Sequence, residues 1–424
     1  MANKQIIKDL VNSNDLEYFS SINEENTWLN GYNKESYLKL LERAIPSINN
    51  EEWRYTKITD ALNQYFLKAK ENKTLPNNFK TNKYDNNEDF CIYFSNGVYY
   101  HHGKLPPYIN TLKISKNHTH FEDKIYNSNK VNDCLINDLN TILLSDMISI
   151  ETKSNQKIDN VIRIINLSHK DSVLCPRVSI NLASNSSLKI FEHHQTQESS
   201  VLNNSIDIHL DKDSTLDYFR IIDKQVQSHD LTSQRIKIGE NSSVNLFSLD
   251  SGADTSRSNI DVALEGDNSA ITINGLYTPS ENLHSGNQLK INHIANKTKS
   301  SLDFRGILDD QSAGVFFGKV KVDKTSSQTI ANMSNHNLLL SEYAKVSSKP
   351  ILEIYNDDVE CSHSSTSGNL DDDKIFYIKS RGIDEKSAKA FLVQSFAAKI
   401  INKITNTNMR QIFNTHLLHS LKIN

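Results

Sequence analysis

The sequence has few cysteines and no long apolar run, and both absences exclude classes of protein. The four cysteines, Cys91, Cys134, Cys175 and Cys361, lie far apart, without the spacing of a disulfide framework. This spacing predicts that the four cysteines are reduced cytosolic thiols and do not form disulfides. No apolar run approaches the roughly 20 residues that a membrane helix needs, and residues 1–17 lack the apolar core of a signal peptide. We therefore expect a cytoplasmic chain that does not bind a membrane.

A strong net charge is also missing. The chain has 47 basic and 51 acidic residues, a formal net charge of −4 and a pI of about 6.4. A nucleic-acid binder would normally show a basic face, so nucleic acid is not an expected partner. Only 37% of the 424 residues are hydrophobic and the mean hydropathy is −0.53, while Asn and Ser are abundant. This composition is typical of an elongated or repetitive shape with much surface per residue.

The first part of the chain, residues 1–85, is predicted to be a helical region. Apolar residues of Glu35–Leu41 fall at helical spacing. A second helical face is formed by Ile58, Ala61, Leu62, Tyr65 and Phe66. Between these helices, Trp53 and Tyr55 could form a binding platform, but we favour packing against a neighbouring helix, because large aromatic side chains are mostly buried anchors.

From Cys91 the pattern changes to strands. Residues 91–100 have strand composition around the pair Asn96-Gly97, which is a strong signal for a hairpin turn. A short helix is expected near residues 135–145. Beyond it, runs of alternating apolar and polar residues predict strands.

The middle region contains a repeat. Four similar segments occupy residues 184–191, 212–219, 240–247 and 267–274. Their first apolar residues, Leu188, Leu216, Val244 and Ile271, are 28, 28 and 27 residues apart. Leu302 extends the series after a further 31 residues. Each unit is predicted to be a strand, a tight polar turn, a second strand and a longer loop.

This period predicts the fold class. One coil cannot bury its inward apolar face alone, so a repeat of this length indicates stacked coils with a continuous core. We predict a mainly β fold: a right-handed parallel β-helix over residues 86–365, flanked by α-helical regions at 1–85 and 366–424. An antiparallel sandwich is the weaker alternative, because sandwiches show no self-similarity at a fixed period.

The C-terminal region returns to helical spacing. Asp384 is the expected N-cap of a helix. The apolar face of this helix is predicted to contain Ala388, Phe391, Leu392, Phe396 and Ile400. A second amphipathic helix carries Met409, Ile412, Phe413, Leu417 and Leu421. From the pattern alone, these helices could equally pack on the β-helix or dock a partner protein.

The most chemically capable pair is Cys361 and His363. If the triplet they span is extended, both side chains point to one face with Cβ atoms roughly 6.5–7 Å apart. This separation is wide for chelating one small ion, but it suits two ligands of a multi-atom cluster, or one ligand with a helper. A thiolate and an imidazole together suit iron, zinc or an iron–sulfur species. A structural role is the alternative for an isolated Cys-x-His.

Other candidate groups carry weaker signals. We interpret Asp357 and Asp358 as a solvated turn. The adjacent pairs His101-His102 and His193-His194 would face opposite sides of a strand, so we expect surface or turn roles for them. A nucleophile–base pair of Cys361 with His363 is disfavoured, because that contact needs roughly 3 Å.

An enzyme is the main alternative to a binding protein, since many parallel β-helices cleave polysaccharides. Such enzymes usually place an acidic calcium cluster and a basic residue on one sheet face, and the sequence shows no such cluster. Gly314–Lys319 is close to a phosphate-binding loop, but it is one residue short and lacks Ser or Thr after the lysine. We therefore expect no enzymatic activity.

A resemblance to a known family covers about 100 residues of the C-terminal half. Residues 337–382 contain NLLLS, PILEI, DDVECSHS and LDDDKIFYIKSRG, which resemble the C-terminal signature of the SufB/SufD family. The element EEWRYT at residues 51–56, the chain length and the lack of an N-terminal cysteine cluster resemble the SufD branch. One departure is Ser364, where the family pattern has glycine after CSH.

The resemblance implies a scaffold subunit for de novo iron–sulfur cluster assembly. It implies a heterodimer with a SufB-like subunit, formed near Cys361 and His363, and a SufC-like ABC ATPase docked on the C-terminal helices through Phe391, Leu392, Phe396, Ile412 and Phe413. A homodimer is one assembly that the isolated chain could form. By motif match, His363, and secondarily Cys361, would ligate iron or a transient iron–sulfur cluster that is shared with SufB and not held by this chain alone. A purely structural partner without a metal role is the alternative.

Overall fold

The structure is a computed structural model. It describes residues 7–10, 27–47, 49–69, 90–95, 98–101, 105–111, 121, 134–144, 146–168, 171–196 and 199–422. The α-helices with bounds in these ranges are α1 Thr27–Leu41, α2 Thr59–Lys68, α3 Leu135–Ile142, α4 Asp372–Ser380, α5 Glu385–Ile401 and α6 Thr407–Ser420. Short 3-10 helices lie at Ile7–Leu10 and Glu51–Trp53. Within the described ranges, no helix is long and apolar enough to cross a membrane.

Most of the remaining described chain forms strands. Their bounds are β1 Phe90–Ser95, β2 Val98–His101, β3 Ile109–Thr111, β4 Ile148–Glu151, β5 Lys157–Ser168, β6 Val173–Leu174, β7 Arg177–Leu182, β8 Ser187–Thr196, β9 Val201–Leu210, β10 Thr215–Ile222, β11 Gln225–Ile238, β12 Ser243–Asp250, β13 Ala253–Leu264, β14 Ala270–Tyr277, β15 His284–His293, β16 Lys299–Leu308, β17 Ala313–Val322, β18 Thr329–Leu339, β19 Lys345–Ile354 and β20 Val359–Asn369.

The strands form two sheets that the chain visits in turn. Sheet I has the order β2-β1-β5-β8-β10-β12-β14-β16-β18-β20, and sheet II the order β19-β17-β15-β13-β11-β9-β7-β4-β3, with β6 beside β9. From β4 onward, successive coils pair in parallel. The predicted parallel β-solenoid with helices on both flanks is therefore confirmed. The antiparallel sandwich is excluded, because it would need antiparallel neighbours throughout.

The strand register confirms the core of the repeat and corrects its last member. Leu216 lies directly opposite Leu188 and Val244, and Val244 lies opposite Ile271. In the next coil, however, Ile271 lies opposite Ser300, and Leu302 lies two residues further on. The predicted position of Leu302 was therefore wrong by two residues. Ser300 is accommodated there because its hydroxyl contacts the buried His293 ring nitrogen Nε2 at 2.9 Å.

The Asn and Asp residues of the repeat have a conformational reason. Asn185, Asp213, Asn241 and Asn268 have φ angles of 57°, 58°, 55° and 59°, a left-handed region that Asn and Asp adopt more readily than other side chains. Their side chains form a ladder between coils: Asn241 donates to Asp213 at 3.0 Å, and Asn268 donates to Asn241 at 3.1 Å. The predicted longer loop is absent from two coils in this part of the chain, where residues 223–224 and 251–252 alone link the sheets.

Other local predictions can be compared directly. The antiparallel pairing of Ser95 with Val98 confirms the hairpin, although Asn96 and Gly97 lie outside the described residues. The expected short helix is α3, and all eight of its residues are buried. Trp53 is buried, as expected for a packed side chain, but the contact over its ring is the guanidinium of Arg257 on β13, 3.6 Å from the ring centroid, and not a neighbouring helix. Tyr55, in contrast, is exposed.

Three large apolar clusters organise the packing, beside a small fourth one around Leu29 and Phe121. The solenoid interior is lined by inward-facing residues of both sheets. Helices α1, α2 and α3 pack on the outer face of sheet II near Val201 and Leu231. Helices α5 and α6 pack on the outer face of sheet I, where the Phe413 ring lies edge to face with Phe219 at a centroid distance of 6.2 Å. The C-terminal helices therefore form part of the solenoid wall.

Candidate functional site

The solenoid ends in a coil that consists of β19 and β20, which we call the terminal coil. Strand β20 pairs with β18, and β19 pairs with β17. Both strands stand last in their sheets among the described residues. Their outer edges therefore present backbone N–H and C=O groups that another chain could pair with.

Cys361 and His363 lie on this terminal coil. In register, Cys361 is opposite Ala331 and His363 is opposite Met333. Ala331 and Met333 are buried residues of the solenoid interior. Because side chains alternate along a strand, Cys361 and His363 both face along the interior at its open end. The extended triplet and the shared face agree with the expectation from sequence.

The two side chains differ in exposure. Cys361 is half-buried against the interior cluster, whereas His363 is exposed. Burial raises the pKa of the Cys361 thiol, and a backbone hydrogen bond at Ala331 offsets this only in part. The thiol is therefore protonated at neutral pH, and metal binding would have to displace its proton. Nearby, the Ser365 hydroxyl donates to Ser348 Oγ at 2.9 Å and joins β20 to β19.

Exposed apolar side chains are concentrated near this end of the molecule. Seven of the twelve large hydrophobic residues that are exposed in the described residues fall between positions 343 and 391: Tyr343, Ile354, Tyr355, Phe376, Tyr377, Ile383 and Phe391. Single exposed apolar residues are ordinary, but a concentration of this kind is typical of an interaction surface.

The predicted docking residues do not share one surface. Phe391 on α5 is 64% exposed, and Leu392 is half-buried beside it. Phe396 is half-buried under the guanidinium of Arg305, 4.9 Å from the ring centroid. On α6, Ile412 is half-buried, and Phe413 is 1% exposed within the chain's own core. In this conformation only Phe391 of the five is fully presented to a partner.

Helix α5 turns a different side to the sheet than its apolar pattern predicts. Its buried residues are Ala388, Val393, Ala397, Ile400 and Ile401. Ala388 and Ile400 belong to the predicted face, but Phe391 lies on the opposite side. The expected N-cap is confirmed, because the Asp384 carboxylate accepts from the Ser387 backbone N–H.

The strand that carries His363 leads almost directly into the C-terminal helices. Two residues, Leu370 and Asp371, separate the end of β20 from the start of α4. Asp371 caps α4 by accepting from the backbone N–H groups of Asp373 and Lys374. A displacement of α4 would therefore act directly on β20.

Sequence reasoning missed the burial of the pair His193-His194. Both are 0% exposed in the middle of β8, so the expected surface or turn role was wrong. His194 lies inside the solenoid, with Nδ1 2.7 Å from Asp230 and Nε2 3.2 Å from Glu192. His193 lies on the outer face, where its partners come from the β10–β11 link and from α6. No local signal could have indicated these contacts.

The fold and the site define a parallel β-solenoid protein with a thiol and an imidazole at its open end. A family model described as "SUF system FeS cluster assembly, SufBD core domain" matches residues 164–396, which include Cys361 and His363. The chain belongs to this family of iron–sulfur cluster assembly proteins. The resemblance seen in its motifs is thereby confirmed.

Individual relatives agree with the family. The chain is 31% identical over 196 residues to the iron-sulfur cluster assembly protein SufD of Escherichia coli (strain K12), a match covering 46% of either chain. It is 27% identical over 288 residues to an iron-sulfur cluster assembly SufBD family protein of Synechocystis, covering 64% of this chain and 62% of the relative. Identity to the SufD protein of Bacillus subtilis is 29% over 115 residues, covering 27% and 26%. The matches thus span less than two thirds of these relatives.

Proposed function

We propose that this chain is a SufD-like scaffold subunit of a cytoplasmic complex that assembles iron–sulfur clusters. The observation that carries the proposal is the placement of Cys361 and His363 on an open terminal coil, inside the matched family domain. Two ligands on one strand cannot enclose a cluster, so the site is complete only when a second subunit covers it. The scaffold has no catalytic role of its own.

The partner at the terminal coil is proposed to be a SufB-like subunit. A sheet with an exposed edge strand readily pairs with a strand from another chain. Such pairing would cover His363 and the half-buried interior residues of the terminal coil. Iron or a nascent cluster, as cargo, would then lie at the shared interface, with His363 as one ligand and Cys361 as a second or helping ligand.

The partner at the C-terminal helices is proposed to be a SufC-like ABC ATPase. Phe391 is exposed on α5, and Phe376 and Tyr377 are exposed on the preceding helix α4. Aromatic anchors of this kind dominate many protein interfaces. A cavity of about 730 Å³ lies beside them, lined in part by Ile375 and Lys389, and could receive a side chain of the partner.

These two surfaces are proposed to be coupled. Closure of an ATPase dimer on ATP binding would move α4 and α5, and the two-residue link would pass that movement to β20. The movement would open the interface and admit iron and sulfur to Cys361 and His363. The contacts that support this route are the short link to α4 and the packing of α5 on sheet I through Val393.

Co-purification tests the proposal. The tagged chain should be co-expressed with the SufB-like and SufC-like proteins of the same source, and the isolated complex analysed for subunits and for iron. We expect both partners to be retained and iron to be present. A chain that retains neither partner would contradict the scaffold role. A complex whose iron is unaffected by His363→Ala would instead indicate a purely structural partner.

A further inference from the structure

His193, Asp223 and His416 form a compact cluster on the outer face of sheet I. His193 comes from β8, Asp223 from the β10–β11 link, and His416 from α6, the last helix. His193 Nε2 lies 2.9 Å from Asp223 Oδ2, and His416 Nδ1 lies 3.1 Å from Asp223 Oδ1. The two imidazole rings meet edge to face with centroids 4.9 Å apart. Three elements that are distant in sequence thus converge on one point.

The spacing of the three donor groups fits one metal ion. One ligand atom from each residue lies within 4.8 Å of the others. Zn²⁺ binds imidazole nitrogen and carboxylate oxygen at about 2.0–2.2 Å, so ligand atoms around one ion lie about 3–3.5 Å apart. Each oxygen of the Asp223 carboxylate contacts one imidazole, at 2.9 Å for His193 and 3.1 Å for His416, so the carboxylate would bind the ion through one oxygen or through both.

We propose that His193, Asp223 and His416 bind a divalent first-row transition metal ion, of the Zn²⁺ or Fe²⁺ type, which fastens α6 to the solenoid. Two imidazoles and one carboxylate are a donor set that both ions accept. His193 is 0% exposed, whereas Asp223 and His416 are 35% and 20% exposed. An ion can therefore enter from the Asp223 side, and water can complete its coordination.

The protonation states of the cluster favour metal binding. Burial lowers the pKa of His193 and outweighs the opposing attraction of Asp223, so the imidazole is neutral at pH 7. Burial alone would raise the pKa of Asp223, but hydrogen bonds from the His193 and His416 side chains hold it below its usual range. A neutral imidazole and an ionised carboxylate are the forms that ligate metals.

This site is separate from the predicted ligands on the terminal coil. In sheet I, β8 and β20 are six strand steps apart. At a strand spacing of about 4.8 Å, that corresponds to about 29 Å. The metal would hold the last helix in place and would not take part in cluster assembly directly. The rival is a purely hydrogen-bonded triad that fixes α6 without an ion.

Metal titration of the isolated full-length chain, freed of its tag and treated with a chelator, tests the proposal. Co²⁺ serves as the probe because its visible absorption reports nitrogen and oxygen ligands, and Zn²⁺ serves as the competitor. We expect one equivalent of Co²⁺ to bind and Zn²⁺ to displace it. His416→Ala and Asp223→Asn should weaken binding by at least about tenfold, since even outer-shell changes cost about 10–100-fold. His419→Ala, exposed on the same helix, should bind as the wild type does.

Amide hydrogen exchange supplies a second measurement, which does not depend on any variant. In the wild type, Zn²⁺ should slow amide exchange across Thr407–Ser420 and raise the melting temperature. If the wild-type chain binds no Co²⁺ specifically, or if exchange in α6 is the same with and without Zn²⁺, the triad is a hydrogen-bonded clamp and the metal site is refuted. Binding that survives both His416→Ala and Asp223→Asn would refute this location. Neither result bears on iron at the terminal coil, because no partner subunit is present.

Discussion

His363 lies directly opposite Met333 in neighbouring parallel strands, yet Met333 is 2% exposed and His363 is exposed. Both side chains are on the inward face of sheet I. Met333 is covered because β20 follows it, whereas β20 has no further strand beside it among the described residues. The candidate site therefore arises where the stacking of coils stops, and a partner that continued the stack would cover it.

Phe391→Ala should separate docking from folding. Phe391 is 64% exposed, so its loss should change the free energy of unfolding by no more than about 0.5 kcal/mol. If Phe391 anchors the proposed ATPase interface, its loss should weaken ATPase binding by about 2 kcal/mol, or roughly 30-fold. Urea denaturation and binding titration measure the two effects.

The matched control on the same helix is Val393→Ala. Val393 is 4% exposed and packs on sheet I, so this variant should lose about 1–3 kcal/mol of stability. If Phe391→Ala left ATPase binding at the wild-type level, the proposed docking surface on α5 would be wrong.

Arg257→Lys should weaken the attachment of the N-terminal region to the solenoid. The buried Arg257 guanidinium lies over the Trp53 ring and donates to the Glu52 carbonyl at 2.8 Å and to Asn259 Oδ1 at 2.9 Å. Lysine cannot reproduce this planar set of donors, so we expect a loss of about 2–3 kcal/mol in urea denaturation. The exposed Arg54→Lys should lose less than about 0.5 kcal/mol. Equal stabilities of the two variants would contradict this role of Arg257.

Asn241 should tolerate glycine better than alanine. Its φ of 55° is unfavourable for alanine by about 1–2 kcal/mol but not for glycine. Both substitutions remove the same side-chain hydrogen bonds to Asp213 and Asn268, so the difference between them isolates the backbone conformation. Chemical denaturation should show Asn241→Gly as the more stable variant. The opposite order would mean that backbone strain does not explain the Asn and Asp residues of the turns.

His194 should make the stability of the chain fall at alkaline pH. Burial alone would lower the pKa of His194, but the carboxylates of Asp230 and Glu192 outweigh it and raise the pKa to about 9. A pKa raised on folding adds stability that is complete below the unfolded value of about 6.5 and is lost as the pH rises through 9. The free energy of unfolding should therefore fall by about 3 kcal/mol across this window.

The variant His194→Gln isolates this effect. Its free energy of unfolding should change less than that of the wild type between pH 6.5 and 9. His209→Gln is the control, because His209 is exposed on β9 and should leave the wild-type slope unchanged. A wild-type profile as flat as that of His194→Gln would show that His194 is not charged in the folded state.

Local signals were sufficient to predict the solenoid but not all of its contacts. Four consecutive turns repeat Asn or Asp followed by a buried serine, because each of these turns needs a residue in the left-handed region, and this pattern is visible in the sequence. Leu302 was misplaced because the register depends on the pairing of Ile271 with Ser300, not on counting apolar residues. The packed side of α5 was mispredicted because both Phe391 and Val393 belong to apolar stripes, and the shape of sheet I decides between them.

The contacts of His193 could not be predicted at all. Asp223 lies 30 residues after His193, and His416 lies 193 residues after Asp223. Only the folded solenoid therefore brings the three side chains together. The same applies to the exposure of His363, which depends on the end of the stack rather than on its neighbours in sequence.

The most direct test of the central claim is the iron content of the purified complex of this chain with the proposed SufB-like and SufC-like partners. His363→Ala should be compared with Ser364→Ala, which alters an exposed residue on the other face of the same strand. We predict that His363→Ala lowers bound iron by at least about tenfold, the lower end of the effect of losing even an outer-shell contact, while Ser364→Ala retains it and both complexes keep all subunits. Equal iron in the two complexes would contradict a ligand role for the terminal coil.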